Sequence, residues 1–173
     1  GGVGCGIMRG GLAEVAARSG HEVVLRSRTR EAAEAALATI TAGLDRQVAK
    51  GRLDADERCA ILTRIVPTHD LAALASCDLV IESVVEDLPV KRSLFAELDA
   101  IVQPSAILAT NTSTLPVVEL AMATRRPAQV CGLHFFNPAP VMKLVEVVRP
   151  ITASDDTIAR AVEFAGRCGK DAV

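Results

Sequence analysis

Short, unbroken apolar runs alternate with longer amphipathic stretches along this chain, and that alternation limits the possible folds more than any other feature. Val23-Val24-Leu25, Leu79-Val80-Ile81, Ile107-Leu108-Ala109, Val130 to Phe136 and Leu144 to Val148 read as strands. They are apolar at successive positions, the pattern of strands covered on both faces. Between them lie helical patterns. Leu12, Val15 and Ala16 share one face, and Glu31 to Lys50 forms a long helix closed by Gly51. Asp54 followed by Glu57 opens another helix; Pro89 suits a first turn whose helix Pro104 stops; Ser154 opens a last helix that ends before Gly169. Strands and helices in alternation predict an α/β fold: a doubly wound, mostly parallel sheet with helices on both faces. In such sheets ligands bind beyond the C-terminal ends of the strands, so the informative residues should follow each apolar run.

A chain of 173 residues, half of them hydrophobic, fits one domain with one substantial core. Trp and Tyr are missing and aromatics make up 2%, so that core must be aliphatic. Nineteen basic residues against 21 acidic give no reason to expect nucleic acid or an anionic membrane as partner. No apolar run approaches the roughly 20 residues of a membrane span. Five scattered cysteines without a CxxC pair read as buried, reduced thiols and not as a disulfide framework or a metal site, and a cytoplasmic location is expected. The chain begins at Gly1 and not at Met, so the lack of a visible signal peptide is weak evidence.

Three places carry chemistry. The first is Gly4-Cys5-Gly6-Ile7-Met8-Arg9-Gly10-Gly11. Glycines there permit a tight turn and close approach of the backbone to a pyrophosphate, with the free N–H groups of a helix start behind it. The reading is a Rossmann-like dinucleotide turn with Gly4, Gly6, Ile7 and Met8 at the cofactor; the alternative is a plain glycine-rich turn. The second place is Arg26-Ser27-Arg28-Thr29-Arg30. An NAD site normally carries an acidic residue here to hold the ribose 2′-hydroxyl. Ser27 and Arg28 instead suit a 2′-phosphate; the alternative is a solvated basic turn balanced by Glu31 and Glu34. The third joins Asn111-Thr112-Ser113-Thr114, His134-Phe135-Phe136-Asn137-Pro138 and Glu146. Dehydrogenating a hydroxyl needs a base for the alcohol proton, which imidazole suits, and a carboxylate on its other nitrogen would fix the tautomer. A lone histidine in an apolar segment is more often structural; Asn, Ser, His and Glu converging on one sheet edge reverse that expectation.

At these residues the chain resembles the 3-hydroxyacyl-CoA and 3-hydroxybutyryl-CoA dehydrogenases. The resemblance lies in HFFNPAPVMKLVEVV from His134 to Val148, in Asn111-Thr112-Ser113, and in Asp78 to Glu86 followed by Lys91, and it runs over essentially the whole chain. The HFFNP element separates it from the related gulonate dehydrogenases. The resemblance implies an enzyme acting on short-chain (S)-3-hydroxyacyl-CoA, with His134 as base, Glu146 as its partner and Ser113 bonded to the substrate oxygen. Glu86, Lys91, Asn111 and Asn137 would line an NAD or NADP cofactor, Asn111 also serving the catalytic set, and no metal is implied.

Three departures from the family accompany this. Arg9 stands where the third glycine is usual, and Ser27 where an Asp is usual, which tilts the expectation toward NADP. The chain stops at Val173, before the helical C-terminal domain that supplies a further catalytic asparagine, part of the acyl site and most homodimer contacts in the family. With that domain missing and the first strand truncated, the isolated piece is expected to be inactive, marginally stable and prone to associate. The alternative for it is a non-catalytic dinucleotide-binding module.

Overall fold

A computed structural model of the chain describes residues 9–173. The predicted strands are present as β1 (Val23–Arg26), β3 (Leu79–Glu82), β4 (Ile107–Thr110), β5 (Val130–Phe135) and β6 (Leu144–Val148). Two more were not read from the sequence: β2 (Ile65–Thr68) and β7 (Asp171–Ala172). Pro67 lies inside β2, and a proline without an N–H is tolerated only where the ladder does not need it, as at a sheet edge.

Among the described residues β1 and β2 pair in parallel, from Val23 opposite Ile65 to Arg26 opposite Thr68. The other five strands form a sheet in the order β3-β4-β5-β6-β7. β3, β4 and β5 run parallel, β6 runs antiparallel to β5, and β7 runs parallel to β6. This is the mostly parallel, Rossmann-like α/β arrangement that the alternating pattern predicts. The expected truncated first strand and the turn at Gly4, Gly6, Ile7 and Met8 lie outside the described residues.

Six helices accompany the sheets among the described residues: α1 (Arg9–Arg18), α2 (Arg30–Ala49), α3 (Ala55–Thr63), α4 (Leu88–Ile101), α5 (Val117–Ala121) and α6 (Asp155–Arg167). Local chemistry explains where several begin. Thr29, Asp54, Asp87 and Ser154 each accept a bond from a backbone N–H of the first turn, satisfying a donor that has no partner within the helix. The five-residue α5 has no side-chain cap, and no sequence signal marked it.

Successive strand residues go to opposite faces and both faces are covered. Ile81, Ala109, Cys131, Leu133 and Phe135 pack with Leu12, Val15 and Ala16 of α1, Ile40 and Leu44 of α2, and Ala161 and Ala165 of α6. Val80, Leu108 and Val130 pack with Phe95 and Leu98 of α4 and Val117 and Leu120 of α5. Gly132 shows how close this packing is. A Cβ there would stand 2.7 Å from Val148 Cβ and 3.3 Å from Val117 Cγ2, so only a glycine lets β6 and α5 approach β5 at that point.

One expectation needs correcting. Cys77, Cys131 and Cys168 are buried thiols outside any disulfide, burial pushing Cys131 up to about 12, but Cys59 is exposed on α3. That helix meets the core mainly through Ile61, and Cys59 points away from it.

Candidate active site

The C-terminal ends of β3, β4 and β5 bring the third group of predicted residues together. His134 and Glu146 face each other across the antiparallel β5–β6 ladder. His134 Nδ1 lies 2.7 Å from Glu146 Oε2. A carboxylate only accepts, so the contact puts the ring proton on Nδ1 and leaves the Nε2 lone pair for a ligand proton. The His134 side chain is 17% exposed, enough to be reached, and the Phe136 ring packs beside it at 4.7 Å between centroids.

Asn111, directly after β4, ties three strand ends to one another. Its N–H donates to Glu82 O at 2.7 Å, its Oδ1 accepts from Phe135 N at 2.7 Å, and its Nδ2 donates to Ser83 Oγ at 3.3 Å. The loop that follows is thereby fixed beside the backbone next to His134. Ser113 on that loop is exposed, and its hydroxyl makes no hydrogen bond to a described residue.

Glu86 stands on the same edge, beyond β3. Its Oε1 accepts from the hydroxyls of Thr112 and, at 3.3 Å, Thr114; its Oε2 lies 3.3 Å from Lys91 Nζ. Burial pushes this carboxyl up, but the Thr112 hydroxyl and the charge and hydrogen bond of Lys91 outweigh it and hold Glu86 below the ordinary carboxylate value. With 38% of the side chain exposed, a charged acceptor remains open to a ligand. Lys91, expected to line the cofactor, is 0% exposed; its Nζ donates to Glu82 Oε1 at 2.8 Å and Oε2 at 2.9 Å. Thr112 stood in the predicted group Asn111 to Thr114, and Glu82 in the stretch Asp78 to Glu86, without a role assigned to either, and nothing in the sequence pattern singled out Thr110. A carboxylate closing the apolar run Leu79-Val80-Ile81 was the available signal, because an acidic residue there has to find a buried partner.

The loop carrying Asn137 closes the edge from the other side. Asn137 is exposed. Ala139 in this loop meets Gly11 of α1, where an added Cβ would come within 3.2 Å of Ala139 Cβ. Lys170, before β7, holds the loop by donating to Ala139 O at 2.6 Å and Met142 O at 2.8 Å.

At the far end of the edge, Ser27 follows β1 and is buried, its N–H donating to Thr68 O at 2.9 Å. Arg26 reaches back over the sheet to His69 O at 3.3 Å. Arg28 and Arg30 are exposed and form no ion pair among the described residues. The predicted contacts Gly4, Gly6, Ile7 and Met8 lie outside the described residues. A cavity of about 220 Å³ lined by His21, Asp78, Ile107 and Phe164 opens at the opposite, N-terminal ends of β3 and β4, away from all of these groups. Among the described residues no three His, Cys, Asp or Glu side chains are grouped to hold a metal ion, and no helix is long and apolar enough to cross a membrane.

The whole chain, residues 1–173, matches the family model of the 3-hydroxyacyl-CoA dehydrogenase NAD binding domain. It is 43% identical over 168 residues to a 3-hydroxybutyryl-CoA dehydrogenase of Bradyrhizobium diazoefficiens, covering 97% of this chain and 57% of that protein. It is 43% identical over 171 residues to a 3-hydroxyadipyl-CoA dehydrogenase of Escherichia coli K12, covering 99% of this chain and 36% of that one. Among solved structures, the 3-hydroxybutyryl-CoA dehydrogenase of Escherichia coli K12 superposes with a TM-score of 0.97 at 41% identity, over 99% of this chain and 37% of that chain. The chain thus spans between about a third and three fifths of the length of these relatives.

Proposed function

The chain belongs to the 3-hydroxyacyl-CoA dehydrogenase family, as its NAD binding domain, and we propose that its full-length gene product oxidises (S)-3-hydroxyacyl-CoA, short-chain substrates foremost, by acid–base chemistry at His134. The observation that carries this reading is the 2.7 Å contact of His134 Nδ1 with Glu146 Oε2, which leaves Nε2 as the free base. A bound nicotinamide dinucleotide supplies the hydride acceptor for C3 of the substrate. Nε2 takes the hydroxyl proton, and Glu146 keeps the ring oriented and balances the imidazolium that forms. The Ser113 hydroxyl, open to ligand, donates to the substrate oxygen. In the reverse direction His134 returns the proton to a 3-keto group.

Glu86 and Asn137 fit the cofactor's polar groups, as exposed hydrogen-bonding side chains on the same strand edge as His134. Ser27, Arg28 and Arg30 support NADP(H) as an accepted cofactor, since no carboxylate at Ser27 repels a 2′-phosphate and exposed guanidiniums attract one. The decisive experiment follows acetoacetyl-CoA reduction and (S)-3-hydroxybutyryl-CoA oxidation by the full-length gene product and its His134→Gln variant. Turnover is expected to fall by about 10²–10⁴-fold with cofactor affinity little changed, the range for a positioned acid–base group. Near-normal turnover of the variant would sink the assignment.

A further inference from the structure

Beneath the site lies a charged cluster that the mechanism above does not use. The Glu82 carboxylate is 1% exposed and accepts four hydrogen bonds from three donors: Val84 N at 2.5 Å, Lys91 Nζ at 2.8 and 2.9 Å to its two oxygens, and Thr110 Oγ1 at 2.8 Å. Burying an ion pair is costly unless its remaining lone pairs are satisfied, and here they are. A well-packed apolar pair could fill the same space, so the pair's reach is the informative feature. Lys91 Nζ extends to Glu86 Oε2, and the Thr112 hydroxyl donates to Glu86 Oε1. The same Thr112 oxygen accepts from Leu115 N at 3.0 Å and Thr114 N at 3.4 Å. One connected set of bonds therefore runs from the ends of β3 and β4, through the first turn of α4, to the loop that carries Asn111 and Ser113.

We propose that Glu82, Lys91 and Thr112 are positioning residues that hold Glu86 in one orientation on the cofactor side of the site and bind it to the Asn111–Thr114 loop on the substrate side. Glu82 is the member that makes this work. Its charge neutralises Lys91, so the remaining negative charge of the cluster stays on Glu86 at the surface as an acceptor for ligand hydroxyls. Without it, Lys91 would have Glu86 as its only carboxylate, and the attraction would draw Glu86 inward. Thr112 supplies the shorter link to the loop, beside the 3.3 Å bond from Thr114 Oγ1. Its single hydroxyl is donor to Glu86 and acceptor from the loop backbone, so it bonds the two sides to each other. None of Glu82, Lys91 and Thr110 reaches the surface, so their effect on a ligand has to pass through Glu86 and the loop.

This inference rests on the dehydrogenase reading, and the test separates the two. The full-length gene product is compared with Thr112→Val, Thr112→Ser and Glu82→Gln. Three quantities are read: the Kd for NADH by fluorescence titration, kcat and KM for acetoacetyl-CoA, and hydrogen exchange at the Thr114 and Leu115 amides. Thr112→Val keeps the shape and loses the hydroxyl. It is expected to raise the NADH Kd about tenfold, the worth of one hydrogen bond to a charged group, to raise the acetoacetyl-CoA KM, to leave kcat within about threefold of the parent value, and to speed exchange at Leu115. Thr112→Ser restores the hydroxyl and is expected to behave as the unaltered protein. Glu82→Gln is expected to raise the NADH Kd by a similar factor although Glu82 touches no ligand; the Thr112 pair carries the test even where Glu82→Gln lowers the folded fraction. A protein that binds NADH and turns over, with Thr112→Val indistinguishable from it in Kd and KM, overturns the positioning network alone. A protein that binds neither NADH nor NADPH and reduces no acetoacetyl-CoA with either overturns the dehydrogenase reading and this one with it.

Discussion

At the β3–β6 end of the strand edge His134, Glu86 and Asn111 are held by bonds to other residues before any ligand arrives; at the β1–β2 end Arg28 and Arg30 stand in water. His134 has Glu146, Glu86 has Thr112 and Lys91, and Asn111 spans three strand ends. Arg28 and Arg30 are exposed and form no ion pair among the described residues. The difference follows the work proposed for each end. Proton transfer depends on fixed distances, and groups ordered by folding cost nothing further to order at the moment of reaction. Discriminating a phosphate from a hydroxyl needs only charge of the right sign, which exposed arginines supply, though weakly and with strong dependence on salt.

The sharpest way to break this comparison is at the preorganised end. Glu146→Gln keeps the shape of the side chain and removes the charge that orients His134. Turnover is expected to fall on the order of 10²-fold, within the lower part of the range for acid–base groups, with the NADH Kd unchanged. Unchanged turnover would mean that the 2.7 Å contact with His134 has no part in the chemistry.

A second measurement asks whether the same half of the molecule is also rigidly held away from the site. Asp99 of α4 is buried and binds Arg125 N at 3.0 Å, Arg125 Nε at 3.2 Å and Arg126 Nε at 2.6 Å. Arg126 in turn caps the end of the helix through Asp99 O at 2.8 Å and Gln103 O at 2.6 Å. Burial pushes the Asp99 carboxyl up, but the Arg125 backbone bond and the two guanidiniums outweigh it and hold it below its ordinary value of 3.8. A depressed carboxyl contributes stability that is present above that ordinary value and is lost as the pH falls through the folded-state value. Asp99→Asn is therefore expected to cost about 2 kcal/mol at neutral pH, the scale of a charged hydrogen bond. It should also flatten the loss of stability below about pH 4. Denaturant titrations of both proteins from neutral to acid pH read both effects, and curves that stay parallel throughout would remove Asp99 from the account.

The smallest effect is expected at the β1–β2 end, where Ser27 is buried beside the exposed Arg28. Ser27→Asp should shift the NADPH-to-NADH ratio of kcat/KM toward NADH several-fold, because a carboxylate beside the ribose repels a 2′-phosphate. In the unaltered protein the ratio should decline as ionic strength rises, since exposed charges are screened over about 10 Å at 0.1 M salt. A strong preference for NADH that neither salt nor the added Asp moves would show that the arginines take no part in cofactor choice.

Much of the molecule was legible in the sequence because its causes are local. Asp54 and Ser154 sit where their side chains accept the bonds that start α3 and α6, and the two-sided apolar runs became β1, β3, β4, β5 and β6. The antiparallel direction of β6 was also within reach. The connection 136–143 is too short for the crossover that a parallel neighbour needs, which takes a dozen residues or more. β2 was not legible, because Ile65-Val66-Pro67-Thr68 is a strand only by virtue of its pairing with β1. The exposure of Cys59 is likewise a matter of which face α3 turns to the core.

The candidate site divides along the same line. The sequence by itself determined which residue types stand just past each apolar run, and so put Asn111, Ser113 and His134 at strand ends, because the strand pattern and the helix caps depend on near neighbours. Only the tertiary structure decided that His134 meets Glu146 in register, that Lys91 is sealed beneath the surface on Glu82, and that Thr112 joins Glu86 to the Asn111–Thr114 loop. Those contacts join separate elements of the fold, and His134–Glu146 and Thr112–Glu86 close across 12 and 26 residues of sequence. They exist because packing both faces of the sheet sets strand order and register, and a shift of one residue in β5 or β6 would have turned His134 or Glu146 to the opposite face.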